Sequence, residues 1–159
     1  MTGKPKKYGE IKLSNKNVEF ILKTLKNKPC LSNLKETSPE YFLLNYIQFE
    51  TLTRLLLKYA DSNLKPSSPI RMDSVTKAFN TFNLSISDQK LDILLNSKLN
   101  KVGSRSAKNL RNALVHAWSE SARHEVESRS SILNKAIFEV INSIKELVNL
   151  SSESKKTEA

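Results

Sequence analysis

The scarcity of glycine and of strand-like patterns is the feature that most limits the folds open to this chain. Glycine occurs at only three positions, Gly3, Gly9 and Gly103, and the hairpin pairs Asn-Gly and Asp-Gly are absent. Apolar residues recur three or four positions apart, which is the spacing of a helix with one buried face, not the alternation of a strand. The sequence therefore predicts an all-α protein, a helical bundle of about five to six helices.

The apolar spacing and the capping residues place the helices along the chain. Ser38-Pro39 and Ser87-Asp88 are helix starts, because serine at the cap satisfies a free backbone N–H and proline or an acid suits the first turn. The apolar stripe of the last helix, Leu133 to Val148, is typical of a bundle seam or of a dimer face. The predicted helices lie, in order, within residues 18–28, 38–59, 75–82, 87–99, 105–122 and 133–148.

The length of the chain and its polar ends predict one domain with two extensions. The chain has 159 residues, the size of a single domain that buries enough surface to need no disulfides. Residues 1–12 are rich in lysine and are predicted to form a flexible basic arm. Residues 13–150 form the predicted helical domain, and residues 151–159 a polar, disordered tail.

The charge of the chain indicates a polyanionic partner. The formal net charge is +10, which suits RNA, DNA, an anionic membrane surface or an acidic protein. Aromatic residues make up 7% of the chain, too few for a platform of many stacked bases. Contact with nucleic acid is therefore expected through phosphates.

Several classes of site and location are disfavoured by what the chain lacks. A single cysteine, Cys30, permits neither an intramolecular disulfide nor a cysteine-based zinc site. The two histidines, His116 and His124, have no carboxylate cluster beside them, so we expect no metal and no cofactor. No apolar run suits a signal peptide or a membrane span, which predicts a cytoplasmic protein without membrane contact.

The residues that carry chemistry lie at 111–116, which read Arg-Asn-Ala-Leu-Val-His on the predicted fifth helix. Histidine exchanges a proton near neutral pH, and arginine holds a phosphate through two parallel hydrogen bonds. Asn112 and His116 are four positions apart and share one helix face, while Arg111 lies at its edge with a stem long enough to reach His116. The same polar face was expected to include Arg105, Asn109, Ser119 and Arg123, and the opposite, buried stripe Leu110, Leu114, Trp118 and Ala122.

This set of residues is suited to RNA cleavage. RNA supplies its own nucleophile, the 2′-hydroxyl, so a protein needs to move two protons and to stabilise charge on the phosphoryl oxygens. The predicted roles are general acid or base for His116, charge stabilisation for Arg111, and orientation or phosphate binding for Asn112. One chain offers one such histidine, which predicts a homodimer with a shared site.

The motif resembles that of the HEPN superfamily (higher eukaryotes and prokaryotes nucleotide-binding). Its signature is an arginine followed four to six residues later by a histidine, often with a polar residue directly after the arginine, as at Arg111, Asn112 and His116. The resemblance implies a dimeric helical bundle with a metal-independent endoribonuclease site. It also implies a prokaryotic toxin or antiviral, abortive-infection effector restrained by an antitoxin or another regulatory protein.

One position departs from a branch of that family. Where nucleotidyltransferase antitoxins control the toxin, a tyrosine lies two positions after the histidine, and here that residue is Trp118. Trp118 has no hydroxyl to accept a nucleotide and was expected in the core. Glu50 on the second helix was left open, as a neighbour of the site or a solvent-facing acid.

Six residues outside the motif are expected to contact RNA. The residues expected to bind RNA are basic or polar and lie around the motif or in the N-terminal arm: Arg105, Lys108, Asn109, Arg123, Lys6 and Lys7.

The alternative function is a non-catalytic HEPN-like module that binds nucleic acid or a protein. A third interpretation is an unrelated helical protein in which Arg111 and His116 are an ordinary surface arginine and histidine.

Overall fold

The computed structural model describes residues 13–65 and 67–158, with side chains as far as Asn149, and these residues form an all-α bundle without strands. The prediction of an all-α fold with five to six helices is confirmed. The six helices are α1 (Asn15–Lys26), α2 (Pro39–Ala60), α3 (Met72–Thr81), α4 (Asp88–Leu95), α5 (Ala107–Ala117) and α6 (Glu120–Glu158).

Serine residues begin five of these six helices, at Ser14, Ser38, Ser87, Ser106 and Ser119. The side chains of Ser14, Ser38, Ser87 and Ser106 each accept the backbone N–H three residues further on, at 3.2 to 3.3 Å. Each such cap is worth about 1 kcal/mol, because it satisfies a donor that the helix leaves free. The helix starts at Ser38 and Ser87 were predicted from the sequence and are confirmed.

The long helix α6 forms the centre of the bundle and packs against α1, α2, α4 and α5. Its apolar stripe lies in the shared core with the aromatic residues of α2, among them Phe42, Tyr46 and Phe49. The stripe is therefore a seam within one chain and is not available as a dimer face. Its buried members are Leu133, Ala136, Ile137, Val140, Ile141, Ile144 and Val148.

Two predicted helices end earlier than the apolar spacing indicated. The helix α4 ends at Leu95, because Asn96 turns its side chain onto the backbone N–H of Lys98 at 3.0 Å and leaves Leu99 in the next turn. The helix α5 ends at Ala117, because Trp118 adopts a left-handed backbone with φ 45°. Ser119 then accepts the N–H of Ala122 at 3.3 Å and starts α6.

The two ends of the chain were predicted to be a flexible basic arm and a disordered tail. The basic arm at 1–12 lies outside the described residues. Residues 151–158 continue α6 to Glu158, and the disorder expected of the tail at 151–159 stays a prediction. This segment contains no glycine or proline, and extending an existing helix adds one hydrogen bond for each residue fixed. Within the described part of the chain, no helix has the length and apolar character needed to cross a membrane.

Candidate active site on α5

The motif lies on α5, and the packing of this helix decides which side chains face outward. Ala107, Leu110 and Leu114 are buried against the rest of the bundle. Residues on the remaining faces are left for other contacts: Arg111 and Asn112 are half-buried, and His116 in the last turn is exposed. The buried side of α5 therefore anchors the motif while its polar members lie at the protein surface.

Arg111 turns toward α2 and not toward His116. Its Nε lies 4.0 Å from Oε2 of Glu50, an ion pair too long to be a hydrogen bond. Glu50 is shared, since its Oε1 lies 3.4 Å from Nε of Arg54, one helical turn further along α2. The buried Nε of Arg111 has no hydrogen-bond partner. The guanidinium is thus held near a carboxylate while keeping donors that an incoming phosphate can use.

Asn112 holds the arginine rather than the histidine. Its Oδ1 accepts a hydrogen bond from a terminal nitrogen of Arg111 at 2.9 Å. With its other side drawn to Glu50, Arg111 has two neighbours that fix the plane of the guanidinium. The geometry therefore gives Asn112 a positioning role toward Arg111, where the sequence suggested orientation of the histidine or contact with phosphate.

Tyr46 forms the buried floor beneath this group. Burial raises the pKa of its phenol, and the carboxylate of Glu50 raises it further, while Arg111 and Arg54 act in the opposite direction. The phenol therefore stays protonated at any physiological pH, because both larger effects disfavour the phenolate. Among the described residues, Glu50 supplies the negative charge beside Arg111, and Tyr46 is a neutral buried neighbour.

His116 stands apart from the arginine within one chain. Residues five positions apart are separated by roughly 140° around a helix, and Arg111 is directed onto α2. Among the described residues, the His116 side chain has neither a hydrogen bond nor an ion pair, and it is exposed to solvent. The expectation that the arginine stem reaches across to His116 is not met, so one chain presents the two groups on well-separated faces of α5.

Arg105, predicted to contact RNA, is instead part of the folded core. Only 7% of the residue is exposed, and its Nε donates to Oε1 of Glu125 on α6 at 2.8 Å. Glu125 also accepts the backbone N–H groups of Gly103 and Arg105, and a terminal nitrogen of Arg129. The carboxylate thus ties the segment before α5 to α6. The structure thus places Arg105 away from solvent, with its charge paired to Glu125, and its expected contact with RNA stays a prediction.

The hydrogen bonds around Glu125 also set its protonation. Burial by itself would raise the pKa of the carboxyl, but the hydrogen bonds from Gly103 and Arg105, with the charge of Arg105, lower it below its ordinary value. A lowered pKa means that the ionised form is the one the fold stabilises. Gly103 has φ +96°, so glycine suits the turn that brings its N–H to the carboxylate.

Lys108 and Asn109, also predicted to bind RNA, are engaged with backbone carbonyls. Nζ of Lys108 donates to the carbonyl of Ile70 at 2.9 Å. Nδ2 of Asn109 donates to the carbonyls of Ser97 and Leu99 at 3.0 and 2.9 Å. Asn109 therefore ties α5 to the turn that follows α4. The ammonium of Lys108 keeps two further donors and its charge, so it stays available to an anion.

Trp118 and Arg123 lie together where α5 gives way to α6. Trp118 is 42% exposed, which corrects the prediction that it belongs to the core. The guanidinium of Arg123 lies 5.9 Å from the centre of the indole ring, and its Nε donates to the carbonyl of Trp118 at 3.3 Å. Val115, one turn before Ser119, is 55% exposed. The end of α5 thus presents apolar surface close in sequence to His116.

Some pairings at the site could be predicted from the sequence, and others depend on how the helices pack against one another. Lys6 and Lys7 lie outside the described residues. The pairs Glu50 with Arg54 and Glu125 with Arg129 are spaced four apart, a signal that the sequence carries. What the sequence does not show is that these carboxylates meet Arg111 and Arg105, which lie on other segments of the chain.

The described residues contain no group of three or more histidine, cysteine, aspartate or glutamate side chains placed to hold a metal ion together. Comparison of the chain with protein-family models, with curated proteins and with solved structures finds no match.

Proposed function

We propose that this protein is a metal-independent endoribonuclease that acts as a homodimer and leaves 2′,3′-cyclic phosphate and 5′-hydroxyl ends. The observation that carries the proposal is the arrangement of Arg111, Asn112 and His116 within one chain. Asn112 and Glu50 hold Arg111 in place, and the terminal nitrogens of the half-buried guanidinium keep N–H donors beyond the one given to Asn112. His116 is exposed on the same short helix and forms no hydrogen bond or ion pair with another described residue.

The chemistry follows from these groups and from the substrate. His116 of one protomer takes the proton of the 2′-hydroxyl, and the 2′-oxygen attacks the adjacent phosphorus. The bond from phosphorus to the 5′-oxygen breaks, and that oxygen receives a proton from His116 of the second copy. Arg111 stabilises the charge that develops on the non-bridging oxygens. The phosphorus ends as the cyclic diester, and no water is consumed in this step.

A second copy of the chain is needed because one protomer offers one exposed histidine near the arginine. The apolar stripe of α6 is buried in the chain's own core, so the dimer requires another surface. Val115 and Trp118 flank His116 in sequence and are 55% and 42% exposed. Packing this end of α5 against its symmetry mate buries both apolar side chains and brings the two histidines toward a common two-fold axis.

The resemblance to the HEPN superfamily supports the biological part of the proposal. We place the activity in the prokaryotic cytoplasm, where RNA is accessible, as that of a toxin or an antiviral, abortive-infection effector. An antitoxin or other regulatory protein would restrain it, since unrestrained cleavage of cellular RNA is harmful to the host.

The experiment that tests the proposal is incubation of the purified protein with total RNA in the presence of EDTA. The expected result is cleavage whose 5′ ends accept phosphate from a kinase and whose 3′ ends resist ligation until the cyclic phosphate is opened and the remaining phosphate is removed. Cleavage activity that is lost in EDTA and restored by titration with magnesium contradicts the proposal. A contaminating nuclease is excluded by preparing His116→Ala in parallel, which is expected to be inactive.

One observation favours a second candidate, a non-catalytic module that binds nucleic acid or a protein. Arg111 is paired with Glu50 and turned away from His116, as in an ordinary ion pair between helices. Under this reading the protein binds RNA or a partner and cuts nothing. The same incubation separates the two, because binding without any new RNA ends supports the module and excludes the nuclease.

A further inference from the structure

A basic groove lies beside the first half of α5, away from the exposed end that carries His116. It has a volume of about 930 Å³, within the range of sites that enclose a small ligand or a short stretch of a polymer. The start of α3, the turn after α4 and Lys108 of α5 form its walls. Its lining residues are Pro69, Arg71, Met72, Asp73, Thr76, Lys77, Asn80, Leu95, Asn96, Ser97, Lys98 and Lys108.

The charges of this groove are strongly unbalanced. Four basic side chains, Arg71, Lys77, Lys98 and Lys108, face one carboxylate, Asp73. None of the four forms an ion pair with a carboxylate among the side chains that the structure describes. Oδ1 of Asp73 accepts the backbone N–H of Ser74 at 2.9 Å, as expected of an acid in the first turn of a helix. The groove is therefore a surface of net positive charge, with four basic side chains against the one carboxylate of Asp73 among its lining residues.

The groove and the motif share a rigid element. Lys108, Asn112 and His116 follow one another at four-residue intervals and so lie near one face of α5. Eight residues of helix span about 12 Å, which separates Lys108 from His116 along the axis. The hydrogen bond from Lys108 to the carbonyl of Ile70 fixes α5 against the segment that opens the groove. The groove therefore keeps a constant distance from His116.

We infer that this groove binds the phosphate backbone of a single-stranded RNA on one side of the phosphate that is cut. The inference rests on the proposed function and adds to it the place of the substrate strand. Charge complementarity selects a polyanion, and the concave shape suits one strand rather than a double helix. Thr76, Asn80, Asn96 and Ser97 line the same walls and provide polar groups for sugar or base edges. The four basic side chains of the groove make phosphates the expected main contacts of the strand.

The test uses the full chain carrying His116→Ala, which leaves RNA intact, with a fluorescent single-stranded RNA followed by anisotropy over a range of salt concentrations. In this background, the double substitution Lys77→Ala and Lys98→Ala is expected to weaken binding and to reduce the slope of log K against log salt by about 1.4, or about 0.7 for each lost phosphate contact. Asp73→Asn is expected to strengthen binding. DNA of the same sequence is expected to bind similarly, because phosphates dominate.

Lys145→Ala is the matched control, since Lys145 is an exposed lysine of α6 that does not line the groove. The control removes one positive charge and the double variant two. A change in log K for Lys145→Ala that is half that of the double variant therefore shows that overall charge binds RNA and overturns the inference. Unchanged binding in both the double variant and Asp73→Asn also overturns it, and leaves an acidic protein as the occupant to be sought. Melting temperatures of all variants show whether a loss reflects unfolding.

The outcome is separable from that of the proposed function. If the wild-type protein does not cleave RNA but the groove variants change RNA binding as expected, the groove assignment stands and the nuclease proposal fails. If the wild-type protein cleaves RNA and the groove variants cut with unaltered KM and kcat, the nuclease proposal stands and the groove assignment fails. A raised KM with an unchanged kcat in Lys77→Ala and Lys98→Ala supports both.

Discussion

Arg111 on α5 faces Glu50 on α2, with Nε of the guanidinium 4.0 Å from Oε2 of the carboxylate. A buried donor of the arginine is left without a hydrogen bond in this arrangement, although an unsatisfied buried donor typically costs about 1 to 3 kcal/mol. The terminal nitrogens of the half-buried guanidinium, and not the buried Nε, are the donors that an incoming phosphate can reach. The relationship between these two residues therefore connects the packing of α2 against α5 with the proposed chemistry.

Substitution of the motif residues tests their roles one at a time. His116→Ala and Arg111→Ala are each expected to reduce cleavage by about 10²- to 10⁴-fold, through loss of a proton carrier and of a charge stabiliser. Asn112→Ala is expected to cost less, because Glu50 still holds Arg111. Cleavage rates are compared with helical content and melting temperature. Since His116 is exposed, its variant should melt like the wild type, and wild-type cleavage by His116→Ala would refute the site.

Glu50→Gln separates the two effects of the carboxylate. Removing a negative charge next to Arg111 is expected to strengthen RNA binding and lower KM. Loss of the ion pair also frees the guanidinium to adopt other positions, so kcat is expected to fall as well. Steady-state kinetics on a defined RNA give both constants. Glu146→Gln, at an exposed acid of α6, is the control, and equal kinetics in the two variants would show that Glu50 has no special role.

The dimer is tested at the exposed end of α5. Val115→Glu is expected to leave the monomer folded, since Val115 is 55% exposed, and to separate the protomers. Light scattering should then report the 18.0 kDa chain mass, against about twice that value for the wild type. The rate of RNA cleavage should fall together with the fraction of protein that is dimeric. A wild-type protein that is a strict monomer at micromolar concentration and still cuts RNA would contradict the shared site.

Mixing wild-type and His116→Ala chains tests whether two histidines act together. If both are needed in one dimer, activity should follow the square of the wild-type fraction once the subunits have exchanged. Independent sites would instead give a linear dependence on that fraction. The measurement is cleavage rate against composition at constant total protein.

Glu125 predicts an acid dependence of stability. The folded protein lowers the pKa of this carboxyl, so the ionised form contributes stability at pH values above the ordinary pKa of glutamate, and this contribution is lost as the pH falls through the lowered value. Glu125→Gln leaves Arg105 and Arg129 without their carboxylate and is expected to cost about 3 kcal/mol near neutral pH. Denaturant unfolding at several pH values should show the difference between wild type and variant shrinking toward acid. A difference that is constant with pH would contradict this role.

The parts of the fold that could be predicted are those that depend on neighbouring residues. The caps at Ser38 and Ser87 and the spacing of Leu91, Leu94 and Leu95 act within one helical turn, and the structure confirms them. Prediction failed where a single backbone angle decides the outcome. The positive φ of Trp118 ends α5 and puts Ala122 on another helix. Ser119-Glu120, a serine cap with an acid in the first turn, was the local signal for this break.

The candidate site was predictable only in part for the same reason. The motif at residues 111–116 and its helix could be recognised, because six consecutive residues carry both the chemistry and the spacing. The burial of Arg105 could not, because its partner Glu125 lies on a separate helix. The direction of Arg111 also depends on packing, since Glu50 meets it only after α2 and α5 have come together.

The most direct test of the central claim is cleavage of a defined single-stranded RNA by the purified wild-type protein in EDTA, with both new ends identified. The account predicts undiminished cleavage with 2′,3′-cyclic phosphate and 5′-hydroxyl ends, absent in His116→Ala. No cleavage by a folded, dimeric protein that binds the RNA, or cleavage that survives in His116→Ala, would contradict it.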